Sequence, residues 1–324
     1  MMLSTFSFMG HETIGAYVKR CLEEGGLSYV EDAMEADLVV TYFTVSGLLE
    51  DAYFDEGGLV KNAPDGAMLV DISPCAPSLA RELSAVAAVN DLLFVEAPIA
   101  IVDPTYSDAF FSPENIICFF ACDDDLKSDA NVVAAALADD VRFTGGSGSA
   151  QLAKAMHTVQ QAAQIGAAIE SDALMRTVGA ATGDSFMAAG SAGSDTVDTT
   201  LSAIGVGNFD GTYTVEMLMA EVVAAMTAAD DVELILPQLE ATMHLIEILA
   251  VIGGADKAPT ALSLVYRDED TAAAHGLDWA RAEGLFDEQH LEHEQGRDGV
   301  DAFSGFADLG DFGYAGGFSG YSDN

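Results

Sequence analysis

A chain of 324 residues, half of them apolar, is long enough for two domains with real cores and too apolar to be disordered. Its 53 acidic residues against 12 basic ones give a formal charge of −41, which repels phosphate backbones and anionic headgroups and argues against nucleic-acid and membrane partners. The same excess fits a high-salt habitat or an acidic protein of an ordinary cell equally well; it bears on solubility, not on chemistry.

The first element lies in FSFMGHETIGAYVKRCLEEGG, residues 6–26: an apolar strand, a tight turn holding Gly10 and Gly15, then a helix. This is the entry to a dinucleotide-binding fold, except that Glu12 stands where the second glycine of G-x-G-x-x-G belongs. That glycine lets a diphosphate approach the backbone, and a carboxylate there adds bulk and negative charge facing it. The N-terminus has no basic region and only a strand-length apolar run, so no secretory signal is expected. Cys21, Cys75, Cys118 and Cys122 show neither C-x-x-C spacing nor a small secreted context, which predicts free thiols in a cytoplasmic protein.

Four further apolar runs, DLVVTYFTV (37–45), AMLVDIS (67–73), LLFVEAP (92–98) and IICFFAC (116–122), read as buried parallel strands. Helix-compatible SGLLEDAYF (46–54) and PSLARELSAVAAV (77–89) separate several of them, and the alternation predicts an α/β sheet. From Ser149 the pattern turns all-helical, beginning with the alanine-rich SAQLAKAMHTVQQAAQIGAAIESDALMRTVG. The apolar run around PQLEATMHLIEILAVIG contains Glu240, His244 and Glu247, so it reads as a buried helix rather than a membrane span. These helices are apolar over much of their circumference, which predicts a homodimer formed through residues 150–285. Residues 291–324 are rich in Gly, Ser, Asp and aromatics, a composition that buries little surface and predicts a flexible acidic tail. His290 and His293 have the spacing of helical metal ligands, but beside such a tail they read as a solvated face, and no metal is expected.

The order of these elements, with LVDISPCAPSLAREL, FVEAPI, GGSGSAQLAKAMHTV and AAIESDALMRTVG, resembles the β-hydroxyacid dehydrogenases. These are the 3-hydroxyisobutyrate dehydrogenase and tartronate semialdehyde reductase relatives of 6-phosphogluconate dehydrogenase. The likeness runs over about residues 3–285 and is most specific from Gly145 to Gly179. It implies a Rossmann-like NAD(P)-binding-type domain over 1–148, an interdomain helix and all-α dimerisation and substrate domain over 149–290, and a cleft between them for NAD(P) and a small hydroxy acid.

The resemblance makes Lys154 the acid/base on the substrate hydroxyl. It is one of only five lysines and sits among Ala, Leu, Met and Gln rather than in a charge run; the alternative is a surface lysine with its stem along the helix. Thr158 falls where the family has a substrate-orienting asparagine, and offers one donor for two. Ala100-Ile101-Val102 replace the family's serine-glycine-glycine substrate loop, leaving only backbone amides. Ala220-Glu221 replace a Lys-Asp pair, so Glu221 keeps the acid while the cation is lost. Ser73 lies where the family touches the nicotinamide end, although a serine capping the following segment explains it as well.

On the cofactor side the candidates are Gly10, Glu12, Gly15 and Thr44. If a nucleotide is bound, NAD is favoured over NADP because no Arg or Lys occurs between Arg20 and Lys61. Binding is expected to be weak or lost, since Glu12 faces the diphosphate and the whole chain's field is negative. The interval EEGGLSYVEDAMEADLVV is short by about one strand-helix unit. Either Glu31 or Asp32 imitates the ribose-holding acid, or, the preferred reading, Tyr29–Ala36 corresponds to a later stretch and the adenosine-binding strand is missing. Two function classes follow: an oxidoreductase with impaired or altered activity, or a non-catalytic relative acting as a dimeric binding or scaffolding protein.

Overall fold

The computed structural model describes residues 3–182 and 194–282; the expected tail and the His290–His293 pair lie outside the described residues. The first half comprises β1 (Thr5–Gly10), α1 (Glu12–Glu24), β2 (Ser28–Tyr29), β3 (Leu38–Tyr42), α2 (Ser46–Phe54), α3 (Leu59–Asn62), β4 (Met68–Asp71), α4 (Pro77–Val89), β5 (Leu93–Glu96), β6 (Ile99–Ile101), β7 (Ile116–Ala121), α5 (Lys127–Leu137) and β8 (Asp140–Gly145). Among the described residues the second half contributes only helices: α6 (Ser149–Thr182), α7 (Asp195–Val206), α8 (Val215–Asp230), α9 (Pro237–Leu249) and α10 (Glu269–Ala274), with a π turn after α9 and a 3-10 stretch over Pro259–Tyr266.

Strands β2-β1-β3-β4-β5 are parallel neighbours in that order. Side chains alternate across this sheet. Leu38, Val40, Met68 and Val70 pack toward α1 and α5 with Ile14, Val18 and Leu137. Val39, Leu69 and Phe94 pack toward α2–α4 with Leu49, Tyr53 and Leu83. Both faces are covered, which is why the strands read as continuous apolar runs.

The sheet is not parallel throughout, as the alternation had predicted. β7 runs antiparallel to both β5 and β6, while β8 is parallel to β7. The reason lies in the connections. The chain returns from β6 to β7 through two 3-10 turns, Ala109–Phe111 and Pro113–Asn115, too short for a crossover, whereas α5 carries it across from β7 to β8. β5 and β6 are two halves of one strand broken at Ala97-Pro98, where proline has no N–H to give to the ladder.

The shortening after α1 has a definite form. A two-residue β2 pairs with β1 (Thr5↔Ser28, Phe6↔Tyr29), on the side of β1 away from β3. The second strand's place is thus held by a remnant, and a single 3-10 turn, Ala33–Glu35, stands where a helix would follow. Asp32 caps that turn, its Oδ1 accepting from Met34 N at 2.9 Å.

In the helical half, α6 packs on α7, α8 and α9, and the apolar cluster of the α1/α5 face continues through Ile165, Ile169, Met217 and Leu218 without a break. Among the described residues no single helix is long and apolar enough to cross a membrane; Pro237–Gly254 and Pro259–Tyr266, bent by 86°, pass together by length and composition only.

Candidate active site

β1, β3, β4 and β5 end side by side at Gly10, Tyr42, Asp71 and Glu96, and the helical half packs across this carboxyl edge, where α/β sheets place their ligands. Gly10 has φ +129°, and a Cβ there would lie 1.8 Å from Tyr42 O. No side chain fits, because His11 N donates to that carbonyl at 3.0 Å and closes the two strand ends together. Gly15 meets the Phe8 ring, 2.8 Å from where a Cβ would stand, so α1 lies tight on the sheet. Glu12 is the first residue of α1 and is exposed. Its carboxylate sits at the positive end of the helix, the position a bound phosphate favours in such a turn.

Lys154, Thr158 and Glu221 come together as one cluster. Lys154 Nζ lies 2.6 Å from Glu221 Oε1, and the two side chains are only 3% and 4% exposed. Glu221 Oε2 accepts from Tyr213 OH at 3.0 Å and from Thr158 Oγ1 at 3.3 Å. Burial pushes the Lys154 ammonium below the ordinary lysine range, and Glu221 works against that shift. Burial likewise raises Tyr213 and Tyr42 well above the ordinary tyrosine value, with the Glu221 charge adding to both. His157, one turn along α6, is held neutral at a pKa of about 4 by burial and then by the Lys154 and Arg142 charges.

The remaining predicted residues are placed as follows. Thr44, just past β3, donates from Oγ1 to Glu216 Oε1 at 2.8 Å and ties the sheet edge to the first turn of α8. Ser73 is fully buried, donating to Asp71 Oδ1 at 2.6 Å and accepting from Phe43 N at 3.0 Å, so its hydroxyl braces two strand ends. Ala100 and Ile101 lie in β6, and Val102 N donates to Asn115 O at 2.9 Å. That amide, expected to remain for a substrate, is used inside the sheet.

Sequence reasoning missed Asp71, Glu96 and Gln151. Asp71 is wholly buried, and burial raises its carboxyl to about 7 although Ser73 and Thr41 donate to it. Glu96, also buried, accepts from Gly148 N and Gln151 N at the start of α6. The available signal was a carboxylate ending each of two otherwise apolar strand runs, LVD and FVE, which folding must partner.

Residues 12–100 match the model of the NAD binding domain of 6-phosphogluconate dehydrogenase. The uncharacterized oxidoreductase YkwC of Bacillus subtilis is 33% identical over 66 residues, 20% of this chain and 23% of that protein. The protein named Probable 3-hydroxyisobutyrate dehydrogenase, mitochondrial, of Dictyostelium discoideum is 30% identical over 73 residues, 22% of this chain and 23% of that one. Each match thus spans about a quarter of the relative's length. In structure the likeness is one of fold: the crystal structure of 3-hydroxyisobutyrate dehydrogenase from Salmonella typhimurium superposes with a TM-score of 0.65 at 16% identity, over 81% of this chain and 99% of that one.

Proposed function

We propose that this chain, which belongs to the β-hydroxyacid dehydrogenase family, is a nicotinamide-dependent oxidoreductase of the 3-hydroxyisobutyrate dehydrogenase type, with Lys154 as its proton-transfer group. The observation that carries the reading is the buried Lys154–Glu221 pair, set where α6 and α8 meet the carboxyl edge of a sheet whose first turn keeps Gly10 and Gly15. An amine whose ammonium form is disfavoured by burial is suited to take a proton from a substrate hydroxyl. Glu221 holds that amine in place, and Tyr213 and Thr158 in turn hold Glu221. When bound, the nicotinamide would accept the hydride leaving the carbinol carbon.

The turn fits such a cofactor in shape: Gly10 and Gly15 give the close strand-end contact and the tight helix approach. Glu31 and Asp32, exposed just beyond β2, suit ribose hydroxyls better than a 2′-phosphate, which favours NAD over NADP. In charge Glu12 opposes a diphosphate. That one feature favours a second reading, a non-catalytic dimeric binding protein.

Calorimetry with NADH and NADPH, followed by oxidation assays on small hydroxy acids, separates the two. The first reading expects NADH binding to the unmodified protein and turnover that Lys154→Met abolishes without loss of NADH binding. Relief of one opposing contact in Glu12→Gly should tighten NADH by about tenfold or more. Turnover that survives Lys154→Met refutes the role of Lys154, and binding seen only in Glu12→Gly favours the second reading.

A further inference from the structure

The side chain that caps the helix carrying Lys154 does not come from the residues just before it. Ser149 N donates back to Gly146 O at 3.1 Å, but Gly148 N and Gln151 N are satisfied from across the domain by Glu96, the last residue of β5, 52 and 55 positions earlier in the chain. Glu96 Oε2 accepts from Gly148 N and Oε1 from Gln151 N, both at 2.5 Å, so both carboxylate oxygens are engaged by amides at the positive end of α6. The Gln151 side chain extends the clamp to the exit of β4, its Nε2 donating to Ser73 O at 2.8 Å and its Oε1 accepting from Cys75 N at 3.2 Å. Gln151 and Lys154 are three residues apart on α6, hence on one face, and both are buried. Gly148 leaves no slack, since a Cβ there would meet Arg81 Nη1 at 2.6 Å and Pro77 O at 3.0 Å.

We propose that Glu96 is a positioning residue for Lys154: by clamping the first turn of α6 to the carboxyl edge of the sheet, it fixes the axial and rotational setting at which the Lys154 amine meets Glu221 on α8. This rests on the reading of Lys154 as the proton-transfer group. The clamp is directional. A carboxylate offers two acceptors to two amides, whereas a glutamine offers one acceptor and sets its NH2 against the other N–H. A shorter aspartate keeps both acceptors but withdraws them by one methylene. Loosening the first turn lets Lys154 move from Glu221 and hydrate, and a displacement of the order of 1 Å at a reacting group is enough to lower turnover about a hundredfold.

The test compares the unmodified protein with Glu96→Gln and Glu96→Asp. Turnover is measured against pH, and, with no substrate present, the acylation rate of the Lys154 amine is followed against pH by peptide mass spectrometry. Glu96→Gln is expected to lower kcat by about tenfold to a hundredfold with KM changed less than about twofold. The rising limb of the kcat profile and the midpoint of Lys154 acylation should move together to higher pH, toward the ordinary lysine value. Glu96→Asp should show a smaller loss and a limb shift in the same direction. A residue that only stabilised the fold would lower the active fraction and leave both midpoints in place. Should Glu96→Gln not fold, Glu96→Asp carries the same comparison. Midpoints unchanged in a folded variant overturn the proposal. A protein with no turnover at all, but with Lys154 acylation shifted by Glu96→Gln, overturns the oxidoreductase reading and leaves the clamp standing.

Discussion

Removing either partner of the Lys154–Glu221 pair should cost far more than removing both. At an effective dielectric of about 20, charges 2.6 Å apart attract by about 6 kcal/mol. Against this stands the desolvation of two nearly unexposed ions, several kcal/mol each, so the intact pair contributes little net stability. A lone ion keeps its desolvation and loses its partner. Lys154→Met and Glu221→Gln are each expected to destabilise by about 3–5 kcal/mol at pH 7, while the double variant falls within about 1–2 kcal/mol of the unmodified protein. The pH dependence has a fixed sign. The folded pKa of Lys154 lies below that of the unfolded chain, so the penalty is complete below the folded pKa and is relieved as pH rises toward the ordinary lysine value. Glu221→Gln removes the one charge opposing that depression, and its cost should therefore shrink steadily on the alkaline side. Urea unfolding at a common m-value, at neutral and alkaline pH, measures the cycle. Two single variants that each lose less than about 1 kcal/mol, with additive effects, would mean the ions are solvated and the pair is not the closed unit seen here.

Asp71 is raised from 3.8 to about 7 by burial, so the folded state holds its proton where the unfolded chain has released it, and stability should fall as pH rises from about 4 to about 7. Three units correspond to at most about 4 kcal/mol; Asp71→Asn should flatten that part of the pH profile, and a slope the same as in the unmodified protein excludes the assignment. Leu174 and Val178 on α6 and Val206 on α7 are exposed, and a homodimer through the helical half is expected to give about twice the 33.8 kDa chain mass in light scattering; the monomer mass at micromolar concentration refutes it. With a formal charge of −41, the melting temperature should rise between 0.1 and 1 M potassium chloride as the screening length drops from about 10 to about 3 Å; a flat or falling value refutes self-repulsion as the dominant surface effect.

Much of the fold was legible because its signals are local. The spans read from sequence for α2 (46–54) and α4 (77–89) coincide with the observed helices, and β3, β4, β5 and β7 lie within the four apolar runs. Strand direction was not local. Nothing in IICFFAC distinguishes a parallel from an antiparallel strand; the difference lies in whether residues 102–115 form a crossover, and they form only short 3-10 turns. The site divides the same way. The turn at Gly10–Gly15 announces itself within six residues, whereas Lys154, Thr158 and Glu221 were singled out by resemblance alone, and only the packing of α6 on α8 brings them together.

The clamp behind Lys154 was hidden for a physical reason. A helix N-terminus read from sequence is sought in its own Ser, Thr, Asp or Asn. Around α6 those positions hold Gly145, Gly146, Ser147 and Gly148, and Ser147 Oγ is spent on Ala80 O at 3.1 Å. The acceptor that α6 needs arrives instead from a strand end more than fifty residues away, as the side chain of Glu96. The residue that looked out of place in FVEAP is thus explained by a helix whose start looked uncapped, and each anomaly resolves the other only once β5 and α6 are brought together.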